Sequence, residues 1–277
     1  MLKVDLHLHS SFSDGTLPPR ALARTLKEKR ICVASLTDHD TVDGVEVFLA
    51  ACRKLSIRGV SGVEFSAAHE GVLHILGYAF DPHDETLRAA LERNRDSRNL
   101  RNVQICEKLR ALGCNIALEE AETLAKATGS SSVGRPHIAQ VLYAKGCVPN
   151  VQAAFDKYLK RGAPAHVFQP FLAAEECLRL LRGAGGLPVL AHPRQTTSLD
   201  ELPPLLARLK DAGLWGLECW SPGSSPAEVY RSLELAAVFG LYPTAGSDFH
   251  GKKHGTSSVG VLVTEDALPW ARLCGGL

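Results

Sequence analysis

Val4-Asp5-Leu6-His7-Leu8-His9 alternates apolar and polar residues with strict period two, as a β-strand with one face toward a core should. Outward from it, short apolar runs alternate with helix-like stretches. A helix is expected over Pro18–Arg30 with Thr16 as its cap, a strand over Ile31–Leu36, a helix over Val42–Leu55, and strands at Ile57–Val63 and Val72–Tyr78. From Asp84 to Ala127 the pattern becomes charged and helical with no strand between, and helical signals continue through Arg135–Lys145 and Val151–Leu159. The β/α alternation then resumes with a helix at Ala173–Arg182, a strand at Leu187–Ala191, a helix at Leu199–Ala212 and a strand at Leu214–Cys219. A helix at Pro226–Phe239, a strand at Tyr242–Gly246 and a run at Ser258–Val263 complete it. Strands separated by helices imply an α/β fold with a parallel sheet, and their number favours a (β/α) barrel. The barrel domain is expected at 1–81 and 169–277, with a mostly helical insertion at 82–168.

The 277 residues carry 31 Lys and Arg against 30 Asp and Glu, a net charge of +1. That balance argues against nucleic-acid binding by bulk charge, so no duplex DNA partner is expected. No apolar run approaches the ~20 residues that span a bilayer. The N-terminus shows no signal-peptide core, and the eight cysteines include no Cys-x-x-Cys pair. A cytoplasmic protein is expected, and the oligomeric state stays open.

The 11 histidines are more informative, because six of them fall on strands or at their ends. His7 and His9 share one face of the first strand, ~6–7 Å apart. Thr37-Asp38-His39-Asp40 ends the second, Gly62-Val63-Glu64 the third, Ala191-His192-Pro193 the fifth and Ser247-Asp248-Phe249-His250 the penultimate, while His74 lies in the fourth. Asp14 follows the first. In a barrel that end is where active sites are built. His7, His9, Asp14, His39, Glu64, His74, His192, Asp248 and His250 exceed what one closed four-coordinate site needs. They suit two or three divalent ions; imidazole and carboxylate without thiolate favours Mn, Zn or Fe, with Mg a further option. His69, His83, His166 and His254 read as ordinary loop histidines, and Asp40 and Asp43 as helix caps.

The insertion adds a basic feature. Arg98 and Arg101, three apart in a helix with Asn102, can reach one oxyanion together. Gly134-Arg135-Pro136-His137 opens another helix, whose free N–H groups and dipole favour a phosphate.

His7-x-His9, Thr37-Asp38-His39-Asp40, Ala191-His192-Pro193 and Ser247-Asp248-x-His250 resemble the four motifs of the polymerase and histidinol phosphatase (PHP) superfamily. His7-to-Gly15 and the insertion most resemble its stand-alone bacterial nucleoside 3′,5′-bisphosphate phosphatases, some of which are also 5′-3′ exoribonucleases. The resemblance implies a distorted (β/α)7 barrel with a trinuclear site. One ion would be held by His7, His9, Glu64 and Asp248, a second by Glu64, His74 and His192, and a third by Asp14, His39 and His250. It also implies that the arginine pair and the Gly-Arg turn hold nucleotide phosphates. The expected reaction is removal of the 3′-phosphate from a nucleoside 3′,5′-bisphosphate by a hydroxide bridging two ions, with short RNA trimmed from its 5′ end as a related activity. His39, His192 and Asp248 are the ligands expected to act directly in catalysis. Alternatives are a histidinol or AMP phosphatase on the same scaffold, or a non-catalytic PHP module.

Overall fold

A computed structural model describes residues 1–69, 72–128, 130, 132–168, 171–251 and 258–275. His254 and the expected boundary at 169 lie outside them. The first half of the barrel comprises β1 (Leu2–Leu8), α1 (Pro19–Glu28), β2 (Val33–Leu36), α2 (Val45–Lys54), β3 (Arg58–Ser66) and β4 (His74–Tyr78). Helices α3 (Glu85–Ala111), α4 (Leu118–Thr128), α5 (Arg135–Ala144) and α6 (Val151–Ala154) follow, with a π-helical turn at Phe155–Leu159. The chain continues with α7 (Ala174–Gly183), β5 (Leu187–Leu190), α8 (Pro193–Thr196), α9 (Pro203–Asp211) and β6 (Gly216–Trp220). It ends with α10 (Pro226–Val238), β7 (Tyr242–Ala245), β8 (Val261–Val263) and α11 (Trp270–Cys274).

The strands form one sheet in the order β7-β6-β5-β4-β3-β2-β1-β8, curled into a distorted barrel. Closure divides the free edge of β1. Its start, Leu2–Val4, pairs antiparallel with β8, while its end meets the chain after β7 through His9 N–H to Phe249 O (3.0 Å) and Asp248 N–H to His7 O (2.9 Å). The buried Asp5 carboxylate stitches this seam by accepting from Ser247 N–H (2.9 Å) and Gly260 N–H (2.7 Å). Gly246 is required here, since a Cβ would lie 2.2 Å from that of His7.

The expectation of a parallel sheet needs two corrections. β8 runs antiparallel to β1, and β4 runs antiparallel to both β3 and β5, because too few residues separate β3 from β4 for a crossover helix. The reversal matters for the site: Ser66 pairs with His74, so the first residue of β4 lies at the same barrel mouth as the last of β3. Thr16 does not cap α1, which starts at Pro18 and Pro19 with no side-chain cap. α2 likewise follows Gly44 with no side-chain cap, so neither Asp40 nor Asp43 caps it.

α3 joins two hydrophobic cores. Asp84 caps it by accepting from Leu87 N–H (2.7 Å). Leu87, Ala90 and Leu91 pack into the barrel core, whereas Ile105, Cys106 and Leu109 pack into a second core built wholly from residues between 105 and 165. One helix of 27 residues, ~40 Å long, thus anchors in both.

Candidate metal and phosphate site

At the barrel mouth five of the ligand-type histidines surround Glu64, a fully buried carboxylate at an inward position of β3, and Asp14, Asp248 and His250 adjoin them. Glu64 Oε2 lies 3.3 Å from His7 Nε2, 3.1 Å from His9 Nε2 and 3.0 Å from His39 Nδ1. Its Oε1 lies 2.9 Å from His74 Nδ1 and 2.9 Å from His192 Nε2. Asp248 Oδ1 sits 3.3 Å from His7 Nε2 and 3.2 Å from His9 Nε2. Asp14 joins from the loop after β1, 3.2 Å from His250 Nε2 and 3.8 Å from His39 Nε2.

These contacts are close without being hydrogen bonds throughout. His7 Nε2, both ring nitrogens of His9, His39 Nδ1 and Glu64 Oε2 are buried and make no hydrogen bond. A buried polar atom left unpaired costs ~1–3 kcal/mol, so several aimed at one point need a common partner, and a cation supplies it. Among the described residues, three groups bring ligand atoms within 4.8 Å of one another: His7, His9, Glu64 and Asp248; His9, Asp14, His39 and His250; and His39, Glu64 and His74. His192 adjoins the last through Glu64 and, at 3.1 Å, His74 Nδ1. The donor set fits divalent metal.

The clustered groups also perturb one another electrostatically. Burial opposes the charged forms, but the histidines outweigh it and hold the carboxyls of Glu64, Asp14 and Asp248 well below the usual carboxylate range. Burial likewise disfavours a charged His7, yet Glu218, Glu64 and Asp248 push its pKa well above the usual value. His39 goes the other way: burial, helped by neighbouring His9 and His74, overcomes Glu64 and Asp14 and holds it neutral.

Backbone strain collects at the same mouth. Asp40 (φ 52°), His192 (φ 26°) and Asp248 (φ 57°) occupy the left-handed region without being glycine. Such residues cost ~1–3 kcal/mol each and persist where packing and bonding over-determine them.

Glu218 is the residue sequence reading missed. Buried on β6, it places Oε1 3.0 Å from His7 Nδ1 and accepts the His192 backbone N–H at Oε2 (2.7 Å). Holding the proton on His7 Nδ1 leaves Nε2 bare for a metal, the usual outer-sphere role of such a carboxylate. Glu218→Gln is expected to lower metal affinity by ~10–100-fold, measured by competition with a chelator. Wild-type affinity in that variant would show that Glu218 does not orient the ligands.

A cleft of about 360 Å³ opens on this cluster, lined by Asp14, His39 and His74 together with Arg98, Arg101, Gly134 and Arg135. Arg101 is nearly buried, and burial together with Arg98 and Arg135 pulls its pKa down to about 8. Three guanidiniums forced together fit a strong anion between them. Arg98 is pinned from behind, donating to the Asp40 carboxylate and to the Ser66 hydroxyl (2.7 Å). Asp40 is therefore a buried tertiary anchor, receiving also Ser66 N–H (2.9 Å) and Asn94 Nδ2 (3.0 Å).

Asn102 and His137 reach the same region, each bonded to protein through part of its polar side chain. Asn102 donates to Val133 O (2.8 Å) and accepts from Arg101 (3.0 Å). His137 Nδ1 accepts Gly134 N–H (3.0 Å). Both brace the Gly134-Arg135 turn from beneath. His69, His166 and Arg161 line the cleft as well, beyond what their loop positions suggested. His83 stays exposed beside Glu46.

Residues 5–166 match the PHP domain family. The chain is 32% identical over 274 residues to the 3′,5′-nucleoside bisphosphate phosphatase of Chromobacterium violaceum, covering 98% of this chain and 95% of that protein. It is 32% identical over 250 residues to a 5′-3′ exoribonuclease of Haemophilus influenzae, covering 90% of each. Among solved structures, an amidohydrolase from Chromobacterium violaceum with bound sulfate and no metal aligns with a TM-score of 0.86 at 29% identity, covering 97% of this chain and 94% of that one. Among the described residues, no helix is long and apolar enough to cross a membrane. Motif, barrel and ligand cluster agree with the match over more than half the sequence: the chain belongs to the PHP domain family.

Proposed function

We propose that this protein removes the 3′-phosphate of nucleoside 3′,5′-bisphosphates, giving a nucleoside 5′-monophosphate and phosphate, and trims short RNA from its 5′ end. It is a hydrolase of phosphoester bonds that uses divalent metal. The observation that carries the reading is one cleft lined both by Asp14, His39 and His74 of the histidine–carboxylate cluster and by Arg98, Arg101 and Arg135. The names of the phosphatase and exoribonuclease relatives support it.

Three metals fit the three ligand groups, with His9, His39 and Glu64 each shared between two groups. Mn, Zn or Fe suits these donors. When bound, such ions activate water near neutral pH and neutralise charge on phosphoryl oxygens. The chain's own residues do the rest. Arg101 and Arg135, pressed together by burial, neutralise the oxygens of a phosphate, and the amino end of α5 adds its dipole. His39, neutral at the cleft wall, and His192 and Asp248, set by strained backbone, stay positioned without reorganising during reaction. Residues 82–168 act as a cap that supplies the phosphate-holding arginines. Hydrolysis of histidinol phosphate is the second reading, and the four arginines lining the cleft exceed what one phosphate needs.

Phosphate release from adenosine 3′,5′-bisphosphate, AMP and histidinol phosphate, run side by side, tests this. The bisphosphate is expected to be preferred; turnover of histidinol phosphate alone would replace the reading. Arg135→Ala is expected to lower kcat/KM about 10–100-fold with metal content retained, as for loss of one charge-assisted phosphate contact.

A further inference from the structure

We propose that a second groove, between the Phe12 loop and the α3–α4 face of the insertion, receives the RNA strand beyond the scissile bond. The inference rests on the phosphoester-hydrolase reading above. In a bisphosphate the reacting phosphorus hangs from O3′ alone, whereas in RNA it is also joined to O5′ of the next nucleotide. One reaction serves both. A water oxygen bonds to phosphorus, the P–O3′ bond breaks, O3′ gains a proton, and the phosphate stays on O5′ of the shortened strand. The first nucleotide can therefore sit identically in both substrates, but the polymer needs a second opening at the reacting phosphorus.

The structure has such an opening. A groove of about 790 Å³ contains His39 and Arg98, the same residues that line the arginine cleft, so the two meet at the metal-ligand cluster. A third cavity, beside His192 and Asp248, measures about 230 Å³. Ligand pockets run from roughly 300 to 1,000 Å³, so the groove accommodates nucleotides and the third cavity does not.

The chemistry of the two clefts differs. Arg95, Arg98 and Lys126 in the groove are matched by Asp43, Asp96 and Glu122. Arg95 pairs with Asp43 (3.2 Å) and Arg98 with Asp40, so the groove carries no excess positive charge. Phe12, 37% exposed, offers an aromatic face, and exposed Asn99 and Lys126 offer donors. Non-specific single-strand sites combine aromatic stacking platforms with basic groups that follow the backbone, and Phe12 and Lys126 supply one of each in the groove.

The test compares kcat and KM for a short 5′-phosphorylated RNA and for adenosine 3′,5′-bisphosphate, at low and high salt. The variants are Phe12→Ala and the double change Asn99→Ala with Lys126→Ala. Phe12→Ala is expected to raise KM for the RNA by about 5- to 100-fold, the loss of one stacked base, with bisphosphate hydrolysis and the salt slope unchanged. The double variant is expected to shift KM the same way by a smaller factor. Equal losses on both substrates, or no loss on RNA in either variant, would overturn the groove assignment, as would a wild-type enzyme that hydrolyses the bisphosphate but not the RNA. Failure of the wild type on both substrates would instead overturn the phosphoesterase reading.

Discussion

Glu64→Ala should abolish turnover and strip metal from the protein while leaving it folded. Glu64 alone touches five histidines, with one oxygen facing His7, His9 and His39 and the other facing His74 and His192. It is the carboxylate common to two of the three ligand groups, so its loss removes a donor from more than one ion. Removing one preorganised donor from an active site already costs ~10²–10³-fold in kcat, and losing a shared ligand should cost at least that. Stability should move less. Burial penalises the charge of Glu64 while the surrounding histidines favour it, so the two effects of deleting it on stability oppose one another. The check is phosphate release alongside metal analysis of the purified variant. Wild-type metal content with wild-type activity would remove Glu64 from the centre and with it the proposed sharing.

The second large effect is on stability. Asp40→Ala deletes a fully buried carboxylate that receives Ser66 N–H and its hydroxyl, the Asn94 amide and the Arg98 guanidinium. The Arg98 side chain is only 12% exposed, so the change leaves a largely buried cation without its counter-charge. Breaking a buried pair this way costs ~3–5 kcal/mol, which for a chain of this size lowers Tm by roughly 6–20 °C. Arg98 would also lose the anchor that holds it at the junction of the two clefts, so KM should rise. A thermal melt and a KM determination on one preparation check both, and an unchanged Tm would show that Asp40 does not tie α3 to the barrel. Asp40→Asn, which keeps a hydrogen-bonding oxygen, should recover part of the loss.

The sequence was informative where chemistry is local and silent where it is not. His7 and His9 declare themselves because period-two alternation puts them on one face of a strand, and Glu64, His192 and Asp248 because each ends an apolar run. The direction of β4 was not legible. His74 was placed in the set, but only the antiparallel pairing of Ser66 with His74 explains why the start of a strand meets the ends of the others. Glu218 was missed although it left a signal: an acid inside the short buried strand Gly216–Trp220 has no local partner, and only the fold brings His7 to it. Asp40 was misread because an aspartate after a strand looks the same whether it caps the next helix or binds an arginine 58 positions away. His137 and Asn102 were read as phosphate contacts from their neighbours in sequence. Each side chain also bonds protein beside the turn that presents Arg135.

The central claim is that histidines and carboxylates from separate strands gather more than one divalent ion, and that hydrolysis depends on them. Elemental analysis of metal per chain during stepwise chelation, with release of phosphate from adenosine 3′,5′-bisphosphate read on the same samples, tests it most directly. The account predicts more than one ion per chain at full activity, loss of activity as ions leave, and recovery when divalent metal is returned. Undiminished hydrolysis by protein stripped of metal would contradict it.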